Sequence, residues 1–183
     1  MKINKKITSF DLCLISLFTA IIAVFAQVKI PFPIVPLTMQ TFAVPLTGAV
    51  LGARKGLIAT TVYILLGATG VPIFQGMTGG LGIIAGPTGG FILAFPVFAF
   101  IVGLTFEKKS RHLIFLGLVA GMVWLFAFGG VIWPVFVVGT TIQTAFIKFV
   151  LPFLPGDFLK ITMVFLIAPE LKKIISKAKS HSR

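Results

Sequence analysis

The sequence predicts an all-α membrane protein, a bundle of six transmembrane helices with both termini cytoplasmic, and three observations predict it. Hydrophobic residues make up 57% of the 183 and charged ones only 11%, whereas soluble domains run near a quarter charged. Apolar runs approaching the roughly 20 residues that a spanning helix needs recur along the chain. The basic residues, which set a net charge of +12, sit in short clusters between those runs, as in loops retained on the cytoplasmic side. They form no basic face or stripe, so the charge points to membrane topology and to lipid as a partner, not to nucleic acid. The length suits a single transmembrane domain over residues 1–183.

The first run spans Phe10 to Val28. Lys2, Lys5 and Lys6 before it and Val24-Phe25-Ala26 near its end resemble a signal peptide. Asp11 and the further spans downstream argue for a retained helix. Small residues recur in it at helical spacing, Ser16 with Ala20 and Thr19 with Ala23. Such faces let helices approach closely in lipid, which serves either packing inside the bundle or a partner helix. Cys13 is the one cysteine, so no intrachain disulfide forms.

The second run starts near Leu37 and stops at Ala53 before Arg54-Lys55, and the third covers Gly56 to about Ala68. An uncharged Gly-rich stretch follows, Gly70 to Gly90, whose apolar residues Phe74, Met77, Leu81, Ile83 and Ile84 argue against disorder. Loops of this length are commonly functional lids, here over an outward-facing pocket. The fourth run covers Phe91 to Phe106, and the fifth covers Leu113 to Phe128 and is expected to break at Gly129-Gly130. The last begins near Pro155-Gly156-Asp157 and reaches Lys172-Lys173.

Val131 to Phe153 is long enough to raise the question of a seventh crossing. Six crossings place 13 of the 16 basic residues inside and leave only Lys29, Lys148 and Lys160 outside. A seventh would turn the basic tail outward and lower the inside count to 10 of 16, against the positive-inside bias. Six is therefore expected, with the extra stretch an outer re-entrant or interfacial piece.

The chain carries no G-x-x-x-x-G-K-[ST] phosphate loop. His112 and His181 fall in a cytoplasmic loop and tail, suggesting no metal cluster, and carboxylates paired for acid–base work are not visible. No enzymatic activity and no cofactor are expected. Three polar features fall on the outer side. Asp157 and Lys160 are three apart and share one helix face; ionisable groups at membrane depth tend to mark ligand or ion sites, although Asp157 also suits an N-cap and Lys160 a snorkelling position. Gln40, one turn into the second helix, needs a polar partner, from a neighbouring helix or a ligand. The Gly-rich loop is the third.

Four segments carry a family resemblance: Val35-Pro36-Leu37-Thr38-Met39-Gln40-Thr41-Phe42, Leu65 to Phe74 with Gly67-Ala68-Thr69-Gly70-Val71-Pro72 inside it, Gly86-Pro87-Thr88-Gly89-Gly90, and Pro152 to Lys160 with Pro155-Gly156-Asp157. Together, in this order and across nearly the whole chain, they resemble the BioY family, the biotin-capturing S components of energy-coupling factor transporters. The resemblance implies an S-component fold that binds biotin from outside, working in the cell membrane with a transmembrane scaffold (T) subunit and two ATPase subunits. It implies ligand contacts from Asp157 and Lys160, and a polar contact from the loop, where Thr78 stands in place of a frequent Asn. Phe91 stands where relatives usually carry Tyr. The small-residue face of the first helix (Ser16, Ala20, Ala23) resembles the surface by which S components meet the scaffold.

Biotin's ureido ring offers two N–H donors and a carbonyl, which Asp157, Thr78 and Gln40 are placed to meet. Lys160 is a candidate for its carboxylate, with the roles of Asp157 and Lys160 exchangeable. Its apolar bicycle suits walls that include Phe74 and Trp133. A stand-alone secondary transporter is the alternative, but it calls for a mid-membrane ion-coupling residue that the sequence does not show. An S component for another vitamin is the other alternative, and a purely structural subunit would bind no small molecule.

Overall fold

The structure, a computed structural model, describes residues 7–30, 37–108 and 110–181. The start of the first motif, Val35-Pro36, and Lys2, Lys5, Lys6, Lys109 and Arg183 of the charge pattern lie outside the described residues. The fold is helical: α1 (Ser9–Gln27), α2 (Gln40–Leu51), α3 (Ala53–Ala68), α4 (Leu81–Ile84), α5 (Gly89–Glu107), α6 (Arg111–Trp124), α7 (Trp133–Val138), α8 (Ile142–Phe149) and α9 (Leu154–His181). Between α1 and α2, two-residue strands β1 (Lys29–Ile30) and β2 (Leu37–Thr38) pair antiparallel.

α1, α5 and the continuous stretch Arg111–Val138 are long and apolar enough to cross a membrane, and α8 with α9, bent by 58°, form a fourth candidate. This is a multi-pass membrane protein. α2 is different. Its 12 residues rise about 18 Å, short of a hydrocarbon core of about 30 Å. Eleven of them are buried, so α2 is enclosed by other helices, and its short length is met by protein instead of lipid. It packs on α1, α3, α5 and α9.

The start of α1 and the end of α9 share one end of the bundle. Thr8 and Asp11 form a reciprocal capping box on α1, and Asp11 Oδ1 accepts from Lys55 Nζ at 3.0 Å and from Lys179 Nζ at 2.6 Å. One carboxylate thus joins α1, the start of α3 and the far end of α9. Nearby, Glu107 Oε1 accepts the N–H of Ala53 at 3.0 Å, satisfying an otherwise orphaned donor in the first turn of α3. Asp11, whose presence suggested a retained helix, is a buried part of this contact.

Two expectations are corrected. The fifth run does not break at Gly129-Gly130. α6 passes into a π-helical turn, Leu125–Ile132, and continues as α7 to Val138. The glycines are there for proximity: a Cβ on Gly129 would lie 2.8 Å from the Cα of Phe91, and one on Gly130 2.8 Å from Val150. The wider π turn keeps the backbone hydrogen-bonded where the neighbours come closest. The stretch from Val131 is therefore first a helix extension, and only then the short helix α8, which folds back against the π turn. Second, α9 begins at Leu154, beside the expected start near Pro155, and the N-cap alternative for Asp157 does not hold. Asp157 lies inside its first turn, with its backbone N–H already bonded to the carbonyl of Phe153 at 2.9 Å, so it is not the N-cap.

Candidate functional site

A cavity of about 240 Å³ opens at the end of the bundle opposite Asp11. α2 and the residues before it contribute Thr38, Gln40 and Thr41; the loop after α3 contributes Phe74, Gln75 and Thr78, followed by Ile83 and Thr88; α5 contributes Phe91, Ile92 and Phe95; Phe153, Asp157 and Lys160 close it. Five of the six residues singled out for ligand contact, Gln40, Phe74, Thr78, Asp157 and Lys160, come together here from three separate stretches of chain.

Asp157 and Lys160 form a buried ion pair at 2.7 Å, with side chains 3% and 10% exposed. Lys160 Nζ donates also to the carbonyl of Thr38 at 2.7 Å and to Thr41 Oγ1 at 2.9 Å, which uses all three ammonium protons. The Thr41 hydroxyl donates onward to Asp157 Oδ1 at 2.7 Å. A buried pair is tolerable only when its remaining hydrogen-bonding capacity is met, and Thr38 and Thr41 meet it. Both bonds to Asp157 fall on Oδ1. No buried side-chain oxygen lacks a partner among the described residues, so Oδ2 opens on the cavity. It is an anionic acceptor held in place by its counter-ion.

Gln40 is buried and donates through Nε2 to Tyr63 Oη at 2.8 Å, while its Oε1 accepts from the Thr38 hydroxyl at 3.2 Å. Tyr63 in turn donates to the carbonyl of Ile73 in the loop at 3.2 Å. Its partner is thus a neighbouring helix, and the pair ties α2 and α3 to the cavity's cover. Tyr63→Phe leaves the Gln40 amide and the Ile73 carbonyl without this bond. It is expected to cost about 1–3 kcal/mol, read as a lower midpoint of thermal unfolding in detergent.

The loop is folded, as its apolar content suggested. Phe74 and Thr78 pair across a tight turn, and the Phe74 ring, 1% exposed, lies edge-on to Tyr63 at 5.5 Å. Thr78 Oγ1 donates to the carbonyl of Gln75 at 3.0 Å within the turn. Phe91, where a tyrosine was the expectation from the resemblance, packs on Phe153 at 6.3 Å between ring centres.

Trp133, the sixth, stands behind the residues that line the cavity. Its indole N–H donates to the carbonyl of Gly86 at 2.9 Å, its Cβ and ring sit against Gly90, and it packs on Phe128. It holds the Gly86–Gly90 turn in place from behind. On α1, Ser16 and Ala20 are exposed and Ala23 half-buried, whereas Thr19 is buried and donates to the carbonyl of Ala59 at 3.0 Å. The two small-residue rows therefore divide, with Thr19 packing inside the bundle and Ser16 with Ala20 facing outward.

Residues of the site that sequence reasoning missed are Thr41, Tyr63 and Phe153. Tyr63 is the only tyrosine in the chain, and a lone hydroxyl in an apolar helix was a usable signal. Thr41 stood inside the first motif without a reason to prefer it over its neighbours.

The BioY family model matches residues 2–177. The chain is 39% identical over 166 residues to a probable biotin transporter BioY of Pyrococcus horikoshii, covering 88% of this chain and 96% of that one. To the biotin transporter BioY of Thermotoga maritima it is 38% identical, covering 86% and 93%. Among solved structures, the crystal structure of an S-component for biotin from an ECF-type ABC transporter superposes with a TM-score of 0.80 at 26% identity, covering 89% of this chain and 90% of that one. With its fold, its motifs and its relatives in agreement, the chain belongs to the BioY family, which consists of transporters and not enzymes.

Proposed function

We propose that this chain captures biotin as the substrate-specific S component of an ECF-type importer, as a single domain over residues 1–183 with six crossings and both termini inside. The observation that carries the reading is the Asp157–Lys160 pair, buried and bridged by Thr41, on the wall of a cavity whose other sides are aromatic and aliphatic side chains interleaved with uncharged polar ones. A few polar groups in an apolar pocket fix a small ligand's orientation. Asp157 Oδ2 is the acceptor for a ureido N–H. Lys160 and Asp157 touch, while an extended biotin holds its ureido and carboxylate groups at opposite ends, so the pair serves one end. Lys160 acts as the counter-ion that keeps Asp157 charged and aimed. Gln40 and Thr78 supply further polar contacts beside Phe74, and Trp133 supports the site from outside the cavity.

The T subunit and the two ATPase subunits supply the energy that this chain lacks the motifs to supply. The outward row Ser16–Ala20, with Ala23 at its edge, is the surface offered to the T subunit, since small residues permit close helix approach.

Calorimetry of the detergent-purified chain against biotin, thiamine and riboflavin tests the reading. One-to-one binding of biotin alone is expected. Binding of another vitamin in its place, or of none, overturns it.

A further inference from the structure

We propose that Gln27, at the end of α1, is a positioning residue that latches the cover of the ligand cavity, and that it sets how fast ligand leaves. Gln27 does not line the cavity; it acts through the loop that does. Its Nε2 donates to the carbonyls of Ala23 at 3.2 Å and Phe74 at 3.0 Å, with the carbonyl of Ile73 at 3.5 Å, and its Oε1 accepts the backbone N–H of Met77 at 2.9 Å. One amide thus grips both arms of the turn Phe74–Thr78, and that turn presents Phe74, Gln75 and Thr78 to the cavity.

The grip works against strain. Met77 adopts φ +57°, the only left-handed non-glycine residue among those described, directly after Gly76 at φ +74°. A side chain bearing a Cβ pays about 1–2 kcal/mol in that region, and such a conformation persists only where its surroundings impose it. Met77 is itself exposed, so packing does not impose it. The Phe74–Thr78 backbone pair closes the turn around it, and at its tip the Met77 N–H is held by donation to Gln27 Oε1. A turn that closes on its own Phe74–Thr78 backbone pair, carries a left-handed Met77 at its tip and is gripped from outside by one side chain is a cover with a built-in tendency to open.

The latch is carried by α1, the helix whose outward row is the proposed T-subunit surface. Movement of the end of α1 therefore bears directly on the cover, with no intervening element. This inference rests on the proposed biotin site, and the experiment separates the two. Biotin dissociation is followed by chasing bound labelled biotin with an excess of unlabelled biotin, on detergent-purified parent, Gln27→Ala, Met77→Gly and the double variant, with thermal unfolding of each ligand-free protein alongside.

Loss of the latch is expected to speed dissociation roughly tenfold, from two or three lost hydrogen bonds, with association little changed. Met77→Gly, which removes the strain, is expected to slow dissociation roughly fivefold from the parent and to restore most of what Gln27→Ala loses. A merely structural Gln27 would lower the unfolding midpoint without changing dissociation, and that result overturns the latch, as does Met77→Gly with parental kinetics. If Gln27→Ala does not fold, the Met77→Gly measurement alone decides. A parent protein that binds no biotin overturns the functional reading instead.

Discussion

Replacing Lys160 by alanine is expected to weaken biotin binding by about a hundredfold or more and to destabilise the protein by about 3–5 kcal/mol. The second effect follows from what remains. Asp157, with its side chain 3% exposed, would be left in the interior with only the Thr41 hydroxyl to offset it, and the carbonyl of Thr38 would lose its 2.7 Å bond from Lys160. An uncompensated buried charge is far more costly than a missing pair. The double variant Asp157→Leu with Lys160→Met separates folding from recognition. Two apolar side chains of similar size restore stability to near the parent while leaving biotin without its acceptor. Calorimetry and thermal unfolding of the three proteins read both quantities. A double variant that binds biotin like the parent would remove the cluster from the site.

The second large effect is expected at Gly67. A Cβ built there falls on the ring of Phe74, which is itself packed against Tyr63 and forms part of the cavity wall. Gly67→Leu cannot be absorbed by the helix backbone of α3, so the ring must leave its seat. Overpacking of this kind costs about 1–3 kcal/mol. Because the displaced group is a wall of the cavity, biotin binding is expected to fall about tenfold or more, a larger change than the stability loss alone would produce. Titration at a temperature where the variant is fully folded checks this, and an unaltered affinity would show that the Phe74 ring is not a contact.

Much of this was legible in the sequence, for a physical reason. In a chain where 57% of residues are hydrophobic, a polar side chain inside an apolar run is conspicuous, and Asp157, Lys160 and Gln40 stood out on that ground. The split between α2 and α3 at Gly52 was marked by the charged pair Arg54-Lys55. What escaped are features fixed by partners distant in sequence. Gln27 fell unremarked inside the first run, Phe10 to Val28, and nothing local shows that its amide reaches Phe74 and Met77. Trp133 looked like a ligand contact because aromatic residues suit apolar pockets; its seat against Gly90 is visible only once α7 is laid beside α5. Gly129-Gly130 read as a break because glycine weakens helices, whereas close packing against Phe91 and Val150 overrides that preference.

The enclosure of α2 bears on biogenesis. A segment of 12 residues with eleven of them shielded by neighbours has no stripe of its own to offer to lipid, and alone it is too short to rest stably across a bilayer. It enters its final place only once companions exist to receive it, and it is joined to α3 through a single residue, Gly52, at φ +84°. The two are therefore expected to enter the membrane together, and the pocket that α2 helps to build to form late, once α5 and α9 have closed around a helix too short to hold a place in the bilayer by itself.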